Sequence, residues 1–432
     1  MSNKLNLKKL SFLIYGLGST GNSVIQFFKK KNISNFFIWD DKKISLKNTR
    51  YKCLNFPKLI KEVDYIVLSP GVSLKKAKFK KDLKKYENKI ISDIDLLYLT
   101  NPNLKSIVVT GSNGKSTTCK MIAHLLKKNK FNFALGGNIG TPVLNLDIKK
   151  NTFLVIEASS FQLSHSKFIS PKFAILLNLT KDHLDWHGSM QNYSNSKFKI
   201  FKLQQKDDFA LINKNLENVF KKKRYLCKNI SINSNEYNKI KYKLKNIYLK
   251  SKANDENMSF VYTLSKLLKI NDITFLKSMN TFKGLPHRYE IFLKKKYITF
   301  VNDSKATSLR SAKLALENSK NIFWIVGGLP KKKDIISLNN VKKNIIKAYI
   351  IGKNTNFFKG KIENKIKFSV TKDLKSTIKK IIKDINLLKK EKLTILLSPG
   401  AASFDQFKNF EDRGYYFNNL IKKIKFIKKI NA

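Results

Sequence analysis

Arginine is nearly missing from this 432-residue chain: only Arg50, Arg224, Arg288, Arg310 and Arg413 are found among 86 basic residues. Acidic residues are also few, 30 in all, which leaves a formal charge of +56. A nucleic-acid binder usually clusters arginine with aromatics on one face. Here lysine is spread along the whole length in pairs and triplets, which reads as a solvated cationic surface. Asn, Ile and Phe are abundant as well, and all four excess types have A/T-rich codons, so base composition accounts for them together. No nucleic-acid partner is expected, although the charge can draw in anionic substrates. The three cysteines, Cys53, Cys119 and Cys227, are too few and too scattered for a disulfide framework or a zinc cluster. A reducing cytoplasm is the natural location. No run approaches about 18 uninterrupted apolar residues, so no membrane insertion is expected.

What is present suffices for real cores. Hydrophobic content of 42% and aromatic content of 12% exclude a disordered tail, a coiled coil and a disulfide-stapled miniprotein. The length suggests about three domains. Short apolar runs alternate with helix-length amphipathic segments from end to end. Strands are expected at 12–15, 36–39, 65–68, 107–109, 153–156, 174–177, 323–326, 348–351 and 394–397. Buried parallel strands with crossover helices, an α/β fold, follow from this alternation. Breaks at Asn101-Pro102 and Gly284-Leu285-Pro286 separate three units. The lysine-rich stretch 221–252 reads as an irregular surface excursion.

The strongest local signal is Thr110-Gly111-Ser112-Asn113-Gly114-Lys115-Ser116-Thr117, between a strand and a helix. In that context backbone N–H groups and the helix N-terminus face a phosphate. Lys115 supplies a point charge, and the Ser116 hydroxyl can hold Mg²⁺. Val109 stands where the general pattern has its first glycine, so the loop is a variant. Glu157 ends the next expected strand, where a carboxylate faces the ligand crevice of a parallel sheet. His183, in Thr180-Lys181-Asp182-His183, is placed by the same logic as a metal ligand or substrate contact. His124 lies in the helix after the loop and reads as structural.

A second glycine turn, Gly16-Leu17-Gly18-Ser19-Thr20-Gly21, follows the first strand, and Asp40 ends the next. This matches a dinucleotide fingerprint. Two independent phosphate turns imply two nucleotide-like ligands. Hydride transfer would leave the second turn idle, whereas an ATP-driven reaction on a nucleotide-tagged substrate uses both.

These turns belong to a colinear set. It continues through Ser69-Pro70-Gly71, Gly137-Asn138-Ile139-Gly140, Leu285-Pro286-His287-Arg288, Asn302-Asp303-Ser304-Lys305-Ala306-Thr307 and Ser403-Phe404-Asp405-Gln406-Phe407. The set resembles the Mur ligases of peptidoglycan synthesis, and the segment from Leu285 to Glu290 together with Ser403 to Phe407 favours the member that adds D-glutamate. The resemblance implies three domains. They are a UDP-binding Rossmann-like domain over 1–94, a central P-loop ATPase-type domain over 95–284 and a C-terminal Rossmann-like domain over 285–432 that binds the amino acid. It implies a cytoplasmic, monomeric ATP- and Mg²⁺-dependent ligase. Its product would join D-glutamate to the L-alanine carboxylate of UDP-N-acetylmuramoyl-L-alanine through an acyl phosphate.

Carried over position by position, Ser19, Thr20, Asp40 and Asp41 would hold the uridine diphosphate. Asn138, Ser159 and Gln162 would contact the muramoyl-alanine arm. Residues Gly111 to Thr117 would bind ATP, with Asn257, Arg288 and Asp303 as further nucleotide contacts. Ser116, Glu157 and His183 would place magnesium, joined by Lys197 if that lysine carries a carbamate, which turns an ammonium into an oxygen donor. Lys115, His183 and Lys197 would form the catalytic set. Lys305, Thr307, Ser403, Phe410 and Lys331, or one of its neighbours Lys332 and Lys333, would make the D-glutamate pocket. Two positions depart from the family pattern: Ala253 replaces a usual His, and Leu329-Pro330 replaces a usual Asp-Gly. The rival readings are a sibling ligase with another acceptor or a folate-extending one, a dehydrogenase using the first turn, and a nucleic-acid binder.

Overall fold

The computed structural model describes residues 6–42, 51–250, 254–331, 334, 337–387 and 392–424. Ala253, Lys332 and Lys333 lie outside them. The chain forms two compact units, 1–282 and 283–432.

The first unit holds two sheets. One comprises β1 (Phe12–Tyr15), β2 (Phe36–Trp39), β3 (Tyr65–Leu68) and β4 (Ile90–Ile91) in the spatial order β2-β1-β3-β4. The other comprises β5 (Ser106–Thr110), β6 (Phe133–Gly137), β7 (Phe153–Glu157), β8 (Phe173–Leu176), β9 (Phe209–Asn213) and β10 (Lys228–Ile232), ordered β10-β9-β8-β5-β7-β6. Every pairing in both sheets is parallel. Their central strands are β-branched, apolar and buried on both faces, as in β5 with the sequence SIVVT.

In each sheet the chain leaves the first strand and returns on its other side. β1 sits between β2 and β3, and β5 between β7 and β8. Such a reversal opens a crevice at the carboxyl ends of the strands. Both glycine turns lie there, directly after β1 and β5.

The second unit carries β11 (Glu290–Lys295), β12 (Ile298–Asn302), β13 (Ile322–Gly327), β14 (Ile345–Ile351), β15 (Phe368–Val370) and β16 (Leu393–Leu397), ordered β11-β12-β16-β13-β14-β15. Among the described strands of this sheet, β11 pairs antiparallel with β12 and the other pairings are parallel. Trp324, on β13, is wholly buried in the core beneath this sheet. Its indole N–H donates to the Ser398 carbonyl at 2.8 Å.

The stretch from 221 onward is not an irregular excursion in its described part. It supplies β10 and the helices Asn235–Lys241 and Ile247–Lys250. Tyr237, Ile240, Leu244 and Leu249 are buried along it. The apolar positions are there at helical spacing, but the intervening lysines mask them.

Candidate active site

The loop after β5 is shaped by two glycines. Gly114 has φ +86° and caps the helix Lys115–Lys128 without any side-chain cap. A Cβ there would lie 2.2 Å from Asn257 Oδ1, so only glycine lets the helix Asp255–Leu267 pack this closely. Asn257 Oδ1 also accepts from the Thr118 hydroxyl at 3.2 Å. Ser112 ties the loop to the segment after β8, because its Oγ accepts from Thr180 N at 2.9 Å. Asn113 N donates to Asn178 Oδ1 at 2.9 Å. Lys115 Nζ donates to the carbonyls of Gly111 and Ser112 at 2.7 and 2.9 Å, so its charge folds back over the loop. Ser116 and Thr117 follow in the first helical turn. The helix N-terminus, without a side-chain cap, and this ammonium together suit an anion.

Glu157 sits beside it. β7 pairs with β5 so that Glu157 is opposite Val109, two residues before Gly111. The carboxylate is 2% exposed. Asn138 Nδ2 donates to Oε1 at 3.0 Å, while Oε2 is buried with no hydrogen-bond partner among the described residues. Gly137 makes that approach possible: a Cβ there would lie 2.3 Å from the Glu157 carbonyl. A buried, half-satisfied carboxylate is costly unless a cation completes it. Among the described residues no group of three or more His, Cys, Asp and Glu is placed to hold a metal. The single carboxylate of Glu157 beside a phosphate loop fits Mg²⁺, which takes one or two carboxylates and completes its shell with phosphate oxygens and water.

Lys197, on the helix Met190–Phe198, is 1% exposed. Its Nζ donates to the Gly111 carbonyl at 2.9 Å and to Thr110 Oγ1 at 3.3 Å, over the Tyr193 ring. Burial, with the Lys115 charge adding to it, holds this amine well below the ordinary lysine range, while Asp182 and Glu157 pull the other way. The Tyr193 hydroxyl in turn meets Ser112 Oγ at 2.8 Å. His183 has φ +51° and opens the short helix Leu184–His187. It is half-exposed, with Nε2 3.4 Å from Asp182 Oδ2 and its ring 4.7 Å from that of Phe161.

At the first turn, Asp40 is committed to the protein. Its Oδ2 accepts from Leu17 N at 2.6 Å and its Oδ1 from Lys42 N at 2.8 Å. Asp41 Oδ1 accepts from the Tyr15 hydroxyl at 2.6 Å and from Trp39 Nε1 at 3.0 Å. Ser19 and Thr20 begin the helix Ser19–Lys30, which also has no side-chain cap. A cleft of about 880 Å³ runs from this turn to Asn138 and Gln162. Ser159 and Gln162 form a capping box at the helix Ser160–His165, each bonding the other's backbone N–H.

In the second unit, Asp303 follows β12 and is buried. Ser398 Oγ donates to its Oδ2 at 2.7 Å and Tyr289 N to its Oδ1 at 3.0 Å. Burial pushes its carboxyl up to about 7 against these bonds and against the Arg288 and Arg413 charges. Lys305 Nζ lies 3.7 Å from the centre of the Phe410 ring. Ser403 is buried, and Thr307 is half-buried. Lys331 is exposed, two residues past Leu329, which bridges Ala402 beside Ser403. Arg288 and Asp303 thus belong to one unit and Asn257 to the other.

Several residues escaped sequence reasoning. Asn178 and Tyr193 carry the phosphate loop from across space, and their spacing from it in the chain signals nothing. His165 and His187 are buried beside Trp186. Burial, reinforced by Lys199 and Lys167, lowers the His165 imidazole from 6.5 to about 4. The unfolded chain takes up that proton near 6.5 and the folded chain only near 4, so stability falls as pH drops across that window. The loss amounts to about 2–3 kcal/mol. Asp303 and Asp93, both raised by burial, act in the opposite sense. His165→Phe is therefore expected to flatten the acid limb relative to the native chain in thermal melts between pH 7 and 4. An unchanged slope would refute this assignment.

Comparison with known proteins comes out consistently. Residues 109–271 match the Mur ligase middle domain, and residues 10–91 match the Mur ligase MurD-like N-terminal domain. The UDP-N-acetylmuramoylalanine–D-glutamate ligase of Rickettsia felis is 35% identical, over 95% of this chain and 96% of its own. The protein of the same name from Hydrogenobaculum is 33% identical, over 96% and 99%. Among solved structures, a UDP-N-acetylmuramate–alanine ligase from Thermotoga maritima superposes with a TM-score of 0.57 at 15% identity, over 96% of this chain and 99% of that one. The MurF ligase of the same organism, solved with ADP, gives 0.55 at 16% identity, over 99% and 97%. The two structures share the fold.

Proposed function

This chain belongs to the Mur ligase family, and on that premise we propose that it joins D-glutamate to the L-alanine carboxylate of UDP-N-acetylmuramoyl-L-alanine at the expense of ATP. The relatives' names supply the substrates. One observation carries the chemistry: a buried carboxylate oxygen of Glu157, without a hydrogen-bond partner among the described residues, beside a phosphate loop whose helix has no side-chain cap.

An ionised carboxylate is a poor acyl donor. The substrate carboxylate attacks the γ-phosphorus of ATP, the bond to the β-phosphate oxygen breaks, and an acyl phosphate and ADP result. The amine of D-glutamate then attacks the acyl carbon, loses a proton, and inorganic phosphate leaves. Lys115 and the loop amides hold the phosphates and offset charge on the transferring group. Glu157, with Ser116 and His183, would hold Mg²⁺, which when bound supplies further charge neutralisation on the phosphates. Lys197 is the carbamylation candidate. Burial favours the unprotonated amine, which can add to CO₂ with loss of a proton, and the carbamate would present oxygens beside Thr110 and Gly111.

The nucleotide sugar would occupy the cleft between the Gly16–Gly18 turn and Asn138, with Ser19, Thr20, Asp40, Asp41, Ser159 and Gln162 around it. Asn257, Arg288 and Asp303 are proposed ATP contacts. Lys305, Thr307, Lys331, Ser403 and Phe410 are proposed for D-glutamate. Because two lysines are proposed for that pocket, L-alanine and L-lysine are expected to be far poorer than D-glutamate. Equal rates in an acceptor panel would sink the pocket assignment. Phosphate release is expected only when ATP, nucleotide sugar and D-glutamate are all supplied. Release with any one omitted would point to a different reaction. No described helix is long and apolar enough to cross a membrane, and a monomeric cytoplasmic enzyme is the reading adopted.

A further inference from the structure

Asp93 opens the helix Asp93–Thr100, a position where a carboxylate ordinarily faces water. Here it is 2% exposed. Its Oδ1 accepts from Gln162 Nε2 at 3.2 Å, the one bond to another side chain it makes among the described residues, beside the backbone N–H groups of its own helical turn. The other end of that amide is equally committed. Gln162 Oε1 accepts from Ser159 N and from Ser159 Oγ, both at 3.1 Å, and Gln162 lines the nucleotide-sugar cleft with Gly137 and Asn138.

We propose that Asp93 is a positioning residue that sets which way the Gln162 amide faces, and through it the Ser159–Gln162 edge of the cleft. A primary amide has one accepting and one donating end, and turning it over costs little unless both ends are engaged. Asp93 can only accept, so it draws the NH₂ end and leaves the oxygen for Ser159. Anchoring does not require Asp93, because the same two segments are already tied elsewhere. Asp95 accepts from Lys167 N and Phe168 N at 2.9 and 2.8 Å, and Ser92 Oγ meets Ser166 Oγ at 2.8 Å. With those bonds tying the two segments, what the Asp93 side chain adds between them is its bond to the amide. Burial pushes its carboxyl up to about 6, with Asp95 adding to the rise, and Gln162 opposes it.

The inference rests on the substrate reading given above, and the test separates the two. Steady-state rates are measured with each substrate varied, for Asp93→Ala, Asp93→Asn, Gln162→Ala, Asp95→Asn and the Asp93→Ala/Gln162→Ala double variant. Asp93→Ala is expected to raise KM for UDP-N-acetylmuramoyl-L-alanine about tenfold, the worth of one buried hydrogen bond. The KM values for ATP and D-glutamate should stay within about twofold and kcat within about threefold, well below that tenfold unit. Asp93→Asn keeps an acceptor and should restore KM. The double variant should be no worse than Gln162→Ala, because the two act through one group. Equal damage from Asn and Ala, multiplying effects in the double variant, or a matching KM rise in Asp95→Asn would each overturn the proposal.

Amide hydrogen exchange at Ser159 needs no turnover. It should quicken in Asp93→Ala and stay slow in Asp93→Asn. If the native chain fails to ligate, the substrate reading falls while the Ser159 exchange rate still decides the role of Asp93.

Discussion

Replacing Lys115 by alanine is expected to cut ligation about a thousandfold, the scale of losing a preorganised charge at a transferring phosphoryl group. The fold should survive. Lys115 Nζ donates to two carbonyls of its own loop, and the first helical turn is held independently by Gly114 and Asn257. The loss should therefore appear as failed phosphate release with ATP, UDP-N-acetylmuramoyl-L-alanine and D-glutamate, while the melting temperature stays near that of the native chain. Near-normal turnover would remove the phosphate loop from the reaction and the acyl-phosphate route with it.

Glu157→Gln carries the second large effect, and its two readouts move apart. Gln keeps an oxygen for Asn138 but loses the charge that would draw a divalent cation. Ligation is expected to fall by about a hundredfold or more, with the Mg²⁺ requirement shifted upward. Stability should hold or rise in the absence of nucleotide and metal, because a buried carboxylate with an unpartnered oxygen is replaced by a neutral amide. A variant that melts early and keeps its Mg²⁺ dependence would assign Glu157 a purely structural role.

Legibility followed the range of the interactions involved. Both glycine turns are local, since strand, turn and helix N-terminus lie within about ten residues, and they could be read directly. Most of the strands with two buried faces were readable for the same reason, although β9 and β12 were not among the strands expected. β10 and β15 were not: each lies at a sheet edge, is short and carries polar residues, as in KNISI and FSV. β6 was hidden by its closing Gly136-Gly137, which serves the approach to Glu157 rather than strand propensity. Ser159 and Gln162 were read only as substrate contacts, although S-x-x-Q before an apolar stretch also spells a capping box. The lysine abundance cost most at Lys197. In a chain this basic, no local feature marks one lysine as buried.

By itself, then, the amino-acid order determined the α/β class, the two phosphate turns and the family, because these are written in contiguous residues. Tertiary structure alone decided that Lys197 lies against the carbonyl of Gly111, that one oxygen of Glu157 lacks a partner, and that Asp93 holds Gln162. Each of those depends on segments separated by tens of residues meeting where water is excluded, and exclusion from water is what turns an ordinary amine or carboxylate into a reactive or orienting group.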